Sequence, residues 1–167
     1  MFKSVDSNIN LPKLENEVSE YWDSINAFKK SVENRKNEKV FRFYDGPPFP
    51  TGSPHYGNLL AGVIKDIVPR YWTMRGYYVE RRFGWDVHGL PIEMEVQKNL
   101  NLEDPQQIDE FGIDKFNEAC RLQVQTNTEN WEKITRKIGR WVDFENDYKT
   151  MDIEFMESVW WVFKELW

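Results

Sequence analysis

The sequence is poor in the residues that make disulfides and metal sites. Its 167 residues include one cysteine, Cys120, and two histidines. A lone cysteine cannot form an internal disulfide, and so few ligands do not make a zinc-binding pattern. No apolar run approaches the roughly 20 residues of a membrane helix, and residues 1–14 lack the apolar core of a secretory signal. These absences favour a cytoplasmic protein that holds no metal and contacts no membrane.

Charge and aromatic content further limit what kind of protein this is. The chain carries 28 acidic against 22 Lys and Arg residues, a net charge of −6, which argues against a surface that binds nucleic acid as a whole. Its 16% aromatic content, with 8 Trp, is typical of a folded core. The length suits one ordinary domain.

The amino-terminal part predicts a helix outside the main body. Apolar residues recur at helical spacing over residues 14–28. The polar stretch over residues 31–39 then reads as a connection. We therefore divide the chain into an amino-terminal helical extension, residues 1–38, and a main domain, residues 39–167.

A βαβ unit is predicted next. Strand-like runs over residues 40–44 and 77–83 flank a proline- and glycine-rich loop and an amphipathic pattern over residues 59–75. If the strands are parallel neighbours with a right-handed crossover, their carboxyl ends lie side by side. That arrangement brings residues 45–47 and 84–86 into one crevice, where α/β sheets bind ligands.

The remaining patterns are mostly helical. A short helix is expected after Pro91, a loop over residues 104–112, and a long helix over residues 113–138 in which Cys120 is a packing residue. Asp152 is a good N-cap for a last helix, whose apolar face is strong enough to favour a chain that belongs to a longer protein.

The loop before residue 59 has the chemistry of an anion site. Ser53 is predicted as an N-cap with Pro54 at the first helical position, so that His55 falls in the first turn. Backbone N–H groups and the helix dipole favour a phosphate there, and the imidazole adds a donor. Gly57 leaves room for a flat ligand. On these residues alone, an ordinary loop with a surface histidine is equally acceptable.

Two segments together resemble class I aminoacyl-tRNA synthetases, and within them the isoleucyl enzymes. They are Gly46-Pro47-Pro48-x-x-Thr51-Gly52-x-Pro54-His55 and Gly84-Trp85-Asp86-x-His88-Gly89-Leu90-Pro91-x-Glu93. Residues 64–71 and 139–150 are also similar to this family, so that the resemblance covers the chain from about residue 15 onward.

The resemblance implies the first half of a Rossmann-like α/β catalytic domain. It implies ATP-dependent activation of isoleucine to isoleucyl-adenylate and transfer to tRNA(Ile), with Mg²⁺ accompanying the nucleotide. The chain would be a fragment of that ligase, inactive or very weak alone, and tRNA(Ile) would be contacted mainly by other parts. We expect the complete enzyme to be a monomer.

The resemblance also implies roles for particular residues. His55 and Asn58 would be catalytic. The ATP site would comprise Pro48, Gly52, His55, Gly57 and Asn58, and the amino-acid site would comprise Gly46, Pro47, Trp85 and Asp86. Asn58 stands where the family usually has a second histidine; asparagine still donates a hydrogen bond but carries no charge.

Several alternatives stay open at this stage. Asp86 is also well suited to cap the turn that follows it. Two basic groups, one with Arg75, Arg81 and Arg82 and one on residues 133–140, are either solvated faces or phosphate contacts. The chain as a whole could instead be a small-molecule nucleotidylyltransferase or a non-catalytic binding module derived from a synthetase.

Overall fold

A computed structural model describes residues 8–167, so residues 1–7 of the predicted extension lie outside it. Two helices come first, α1 (Leu11–Ser24) and α2 (Ala27–Glu33). The prediction of one continuous helix is wrong at Asn26, where a left-handed φ of 50° separates α1 from α2. Trp22 of α1 packs edge-on against Trp141, with ring centroids 5.2 Å apart, which attaches the helical pair to the body.

The predicted first strand, residues 40–44, forms only one isolated parallel bridge, between Val40 and Tyr78. The Phe41 N–H donates to the Tyr78 carbonyl at 2.9 Å, and the Tyr78 N–H donates to the Lys39 carbonyl at 3.0 Å. The parallel direction is thus confirmed, whereas the full strand is wrong. Pairing stops there, and the prolines of the following loop have no N–H with which to resume a ladder.

The helix α3 (Tyr56–Met74) follows the loop. It buries Gly62, Pro69 and Thr73 against the body. Much of its predicted apolar side is exposed, including Leu60, Val63, Ile64, Ile67 and Tyr71. The helix therefore turns small side chains inward and leaves an apolar stripe uncovered within the described residues.

Two parallel strands form the sheet of the described residues, β1 (Arg82–Trp85) and β2 (Asp143–Lys149). β1 begins later than the predicted run over residues 77–83, and β2 was not predicted. The register places Gly84 opposite Tyr148. Helices joined to a small parallel sheet agree at the coarse level with the predicted Rossmann-like fold.

Three helices connect the strands: α4 (Leu90–Leu100), α5 (Pro105–Phe111) and α6 (Ile113–Lys137). The prediction of a loop over residues 104–112 is wrong, because Asp104 and Gln107 form a capping box that starts α5. The predicted short helix after Pro91 and the predicted long helix from residue 113 are confirmed as α4 and α6.

The core lies between this helical crossover and the sheet. Its buried residues are Phe83, Trp85, Val87, Ile92, Val96, Phe116, Val124, Trp131, Val142 and Phe144. Cys120 packs against the edge of this core, as expected. Burial raises the pKa of its thiol, and Glu93 adds to the effect.

The last helix, α7 (Ile153–Leu166), begins after Asp152 as predicted. No residue of α7 is buried, and its exposed side chains include Trp160, Trp161 and Phe163. None of the helices in the described part of the chain is long and apolar enough to cross a membrane.

Candidate active site

The two motif segments meet through a backbone hydrogen bond. The Asp86 N–H, just beyond β1, donates to the Pro48 carbonyl at 2.9 Å. On the other side, the Thr150 N–H donates to the Trp85 carbonyl at 3.0 Å, and the Val87 N–H donates to Thr150 Oγ1 at 2.9 Å. The end of β1 is therefore held between the proline-rich loop and the end of β2, which confirms the predicted meeting of the two segments.

The carboxylate of Asp86 is uncommitted. It makes no hydrogen bond or ion pair with any residue in the 8–167 range, and the residue is partly exposed. The alternative in which Asp86 caps the following turn therefore finds no hydrogen bond in this structure. A free carboxylate at the end of a strand can accept hydrogen bonds from a cationic ligand group.

Asp45, at the other end of the loop, is fully committed. Its side chain is 4% exposed and lies between Arg140, which donates to Oδ2, and Lys65 of α3, whose Nζ lies 2.6 Å from Oδ1. The contact with Lys65 is an ion pair without the angles of a hydrogen bond. Lys65 Nζ also donates to the carbonyl of Gly46 at 2.7 Å. The start of the loop is thus fastened to α3 and to the turn after α6.

The helix-start turn, residues 52–58, caps itself. α3 begins after His55, so the prediction of Ser53 as N-cap is wrong, as is the placement of His55 within the first turn. His55 Nδ1 accepts from the N–H groups of Gly57 at 3.1 Å and Asn58 at 3.3 Å, while Asn58 Oδ1 accepts from the His55 N–H at 3.0 Å. This reciprocal capping box satisfies the backbone donors that we expected to be free for an anion.

The capping pattern leaves two side-chain donors. Because Nδ1 of His55 accepts, the proton of the neutral ring lies on Nε2. Asn58 uses its oxygen in the cap, and its Nδ2 group keeps two N–H donors. His55 is exposed and Asn58 is half-buried. The turn can therefore offer donors to an anion from its side chains.

Glycines in this turn have structural reasons of their own. A Cβ at Gly57 would lie 3.0 Å from Cε1 and 3.1 Å from Nδ1 of His55, so glycine lets the capping imidazole sit against the backbone. Gly52 has a left-handed φ of 55°, and its carbonyl accepts from Trp131 Nε1 at 2.8 Å. Gly57 thus has a role in the cap besides the room for a ligand that we predicted.

Tyr148 lies beside the candidate site, and the sequence reasoning did not identify it. Its ring covers Gly84, where an added Cβ would lie 2.2 Å from Cζ, and it stacks on Phe155 at 5.9 Å. Burial raises the pKa of the Tyr148 phenol, and the carboxylates of Asp45 and Asp86 raise it further, which keeps the hydroxyl protonated as a donor. A glycine inside a strand signals the close approach of another group, and that signal was available in the sequence.

The Trp85 ring lies in the core. It is 1% exposed and stacks at a tilt on Phe83, and its Nε1 donates to Asp147 Oδ2 at 2.6 Å. Because the Trp85 ring is buried, the predicted contact with an amino acid would have to come from the Trp85 backbone. Alternatively, Trp85 would act indirectly, by positioning Asp147. Gly46 is exposed, and Pro47 and Pro48 are partly exposed beside Asp86. His88 is exposed as well.

Most of the predicted basic residues line one groove of about 1100 Å³ between α1–α2 and the body. The basic members of its wall are Lys29, Arg81, Arg82, Lys133, Arg136, Lys137 and Arg140. Acidic residues share the wall, so the groove is not a uniformly positive surface. Arg81 is buried and donates through Nη2 to Pro69 and Thr73, and burial lowers its pKa to about 10.

Comparison with known proteins identifies the family. The family model described as tRNA synthetases class I (I, L, M and V) matches residues 17–167. Among curated proteins, the isoleucine–tRNA ligase of Treponema denticola is 53% identical over 167 residues, 100% of this chain and 15% of that protein. The cytoplasmic isoleucine–tRNA ligase of Arabidopsis thaliana is 54% identical over 156 residues, 93% of this chain and 13% of that protein.

The chain therefore spans about one seventh of the length of these relatives. Among solved structures, the ternary complex of LeuRS with tRNA and LeuAMS from Agrobacterium radiobacter K84 matches with a TM-score of 0.65 and 18% identity, over 91% of this chain and 17% of that chain. At that identity the match bears on the fold alone. The two joined motif segments and the family match over residues 17–167 agree, and the chain belongs to the class I tRNA synthetases of the isoleucine, leucine, methionine and valine group.

Proposed function

We propose that this chain is a segment of an isoleucine–tRNA ligase and carries the first half of its amino-acid activation site. The observation that carries the proposal is the hydrogen bond from Asp86 to Pro48, because it joins the two motif segments on which the resemblance depends. The similarity to isoleucine–tRNA ligases over nearly the whole chain supports isoleucine as the amino acid. The cytoplasmic Arabidopsis relative supports a cytoplasmic location.

In the proposed reaction, a carboxylate oxygen of isoleucine attacks the α-phosphorus of ATP. The P–O bond to the leaving pyrophosphate breaks, and isoleucyl-adenylate forms. The protein needs no nucleophile of its own; it aligns the substrates and stabilises the charge that develops on the phosphate oxygens. The uncommitted carboxylate of Asp86, with the neighbouring Pro47 carbonyl, would accept from the α-ammonium group of isoleucine.

The phosphates would be bound at the helix-start turn. His55 Nε2 and Asn58 Nδ2 are its donors, and the helix dipole of α3 adds to the attraction. Gly52, Gly57 and Pro48 would shape the backbone around the nucleotide. No group of three or more metal-binding side chains lies together in residues 8–167. The Mg²⁺ of the reaction would accompany the nucleotide.

We also propose that residues 1–38 form a helical extension, that residues 39–167 form the truncated catalytic half-domain, and that other parts of the ligase complete it. The exposed apolar faces of α3 and α7 suit a segment that packs against further elements. Contacts to tRNA(Ile) would come mainly from those elements, and the segment alone would be inactive or very weak, because a doubly wound nucleotide site is built from two βαβ halves.

The test is isoleucine-dependent exchange of pyrophosphate into ATP by the complete ligase that contains this segment. We expect exchange with isoleucine and ATP, weak exchange with valine, and none with CTP. Exchange that needs no amino acid would favour a nucleotidylyltransferase. Binding of isoleucine without any exchange would favour a non-catalytic module, and either result would overturn the proposal.

A further inference from the structure

A buried ionic cluster lies directly before the loop that would bind the amino acid. The side chains of Asp45 and Arg140 are 4% and 7% exposed, and that of Lys65 is 30% exposed. A buried carboxylate is costly unless it is paired, and Asp45 is paired on both oxygens. The cluster joins three separate parts of the chain: the proline-rich loop, α3, and the turn between α6 and β2.

The second contact of Lys65 acts on the loop backbone. Its Nζ donates to the Gly46 carbonyl at 2.7 Å, which fixes the orientation of the peptide between Gly46 and Pro47. Two residues later, the Pro48 carbonyl accepts from the Asp86 N–H at 2.9 Å. The Pro47 carbonyl therefore lies in a backbone stretch that is fixed on both sides, one of them bound to the segment of Asp86.

The turn that carries Arg140 is itself fixed to α3. Arg70 pairs with Asp66 and donates through Nη2 to the Gly139 carbonyl at 2.5 Å. The Trp141 N–H donates to Asp66 Oδ1 at 2.9 Å. Both neighbours of Arg140 are thus bound to α3, so its guanidinium approaches Asp45 from a rigid support.

We propose that Lys65 and Arg140 are positioning residues for amino-acid activation, which rests on the proposed function. Through Asp45 and the Gly46 carbonyl they fix the Pro47 carbonyl relative to Asp86, and so fix the place of the amino acid's ammonium group. Neither side chain touches a substrate. Their loss therefore acts on the use of isoleucine much more than on the use of ATP.

Lys65→Met in the complete ligase is the first test, because Lys65 is the less buried cation. We expect the KM for isoleucine to rise about 10- to 100-fold, since a displacement of about 1 Å can cost about 100-fold, with the KM for ATP changing much less. Lys65→Arg keeps the charge and should recover part of the loss. Lys13→Met is the matched control, because Lys13 forms an exposed pair with Glu17 on α1, and it should leave both constants unchanged.

Hydrogen exchange gives a readout that does not depend on catalysis. The Asp86 amide is protected by the Pro48 carbonyl, so Lys65→Met should speed its exchange, whereas Lys13→Met should not. If Lys65→Met fails to fold, Arg140→Lys keeps the charge but loosens the contact with Asp45. It should give a smaller rise in the KM for isoleucine with the same selectivity over ATP. Equal changes in both KM values, or unchanged exchange at Asp86, would overturn this inference. If the wild-type ligase showed no isoleucine-dependent pyrophosphate exchange, the proposed function would be overturned instead. The hydrogen-exchange rate of the Asp86 amide would still decide whether Lys65 holds the loop.

Discussion

The two sides of the candidate site are held in different ways. On the proposed amino-acid side, residues 45–48 are bound to α3, to the turn after α6 and to the end of β1 by buried ion pairs and backbone hydrogen bonds. On the proposed nucleotide side, the helix-start turn closes on itself through His55 and Asn58. Within the described residues, the hydrogen bond that reaches it from elsewhere is donated by Trp131 to Gly52.

This difference indicates what the segment can determine by itself. On the proposed amino-acid side, contacts within the segment fix the backbone around Pro47 and the main chain of Asp86. The Asp86 carboxylate itself makes no hydrogen bond or ion pair with residues 8–167. The turn has a rigid cap, but its two donors, on His55 and Asn58, make no hydrogen bond with residues 8–167 that would aim them at a phosphate. We therefore expect changes on the amino-acid side to act through geometry and charge together, and changes in the turn to act as the loss of single donors.

Asp86→Ala should produce the largest effect. It removes the proposed partner of the ammonium group, and loss of one well-placed charged or polar partner costs about 10²- to 10³-fold in rate. The measurement is isoleucine-dependent pyrophosphate exchange by the complete ligase. Asp86→Asn keeps the shape of the side chain without its charge, so its exchange rate should lie between those of wild type and Asp86→Ala. Because the carboxylate has no partner in the described fold, the free energy of unfolding should change by only about 0.5 kcal/mol; unaltered exchange would remove Asp86 from the site.

His55→Ala should follow, with a loss of about 100-fold in kcat/KM for ATP, because one donor to the phosphates disappears. It should also destabilise the start of α3 by about 1 kcal/mol through loss of the cap. His55→Asn separates the two effects, since asparagine is a good N-cap: stability should return while ATP use stays low. His88→Ala is the comparison for a histidine outside the turn and should do less. Equal ATP kinetics in wild type and His55→Ala would contradict the assignment.

The sequence predicts the helices and the meeting of the two motif segments better than the pairing of strands. Helical spacing and caps are local signals, so α3, α4, α6 and α7 could be found from the chain alone. The capping box at Asp104 and Gln107 is also a local signal, but Pro105 and Gly112 at the ends of the segment favour a loop, and the prediction of a loop is wrong. Strand β2 has no clear alternation of apolar and polar residues, and it becomes a strand because β1 lies beside it.

Within the site, the limits have the same physical origin. The meeting of the loop with Asp86 follows from the parallel βαβ geometry, which the sequence predicts. The ion pairs of Asp45 join it to Lys65, 20 positions away, and to Arg140, 95 positions away, and no local sequence pattern predicts such contacts. The N-cap at His55 in place of Ser53 depends on an imidazole that folds back onto its own helix, a contact that propensities do not represent.

Gly84→Ala should lower the free energy of unfolding, because the added methyl group overpacks the sheet beside the proposed amino-acid site. The new methyl group would lie 2.2 Å from the Tyr148 ring, and overpacking of this kind costs about 1–3 kcal/mol. Urea unfolding measures the loss. Gly62→Ala is the matched control, since its Cβ would lie 3.4 Å from Ile138, an acceptable distance in a helix where alanine is favoured. Tyr148→Ala in the Gly84→Ala background should recover much of the stability; no recovery would mean that the ring is not what the methyl group meets.

The smallest effect, and the most direct comparison of the two sides, comes from a pair of tryptophan replacements. Trp131→Phe removes the hydrogen bond to the Gly52 carbonyl, and Trp85→Phe removes the one to Asp147, while each keeps an aromatic ring in the core. A typical hydrogen bond contributes about 1 kcal/mol, or about fivefold in an equilibrium constant. We expect Trp131→Phe to raise mainly the KM for ATP and Trp85→Phe to raise mainly the KM for isoleucine, because each bond supports a different side of the site. If both variants shifted the same constant, the two sides would be mechanically coupled, and the difference in how they are held would have no functional consequence.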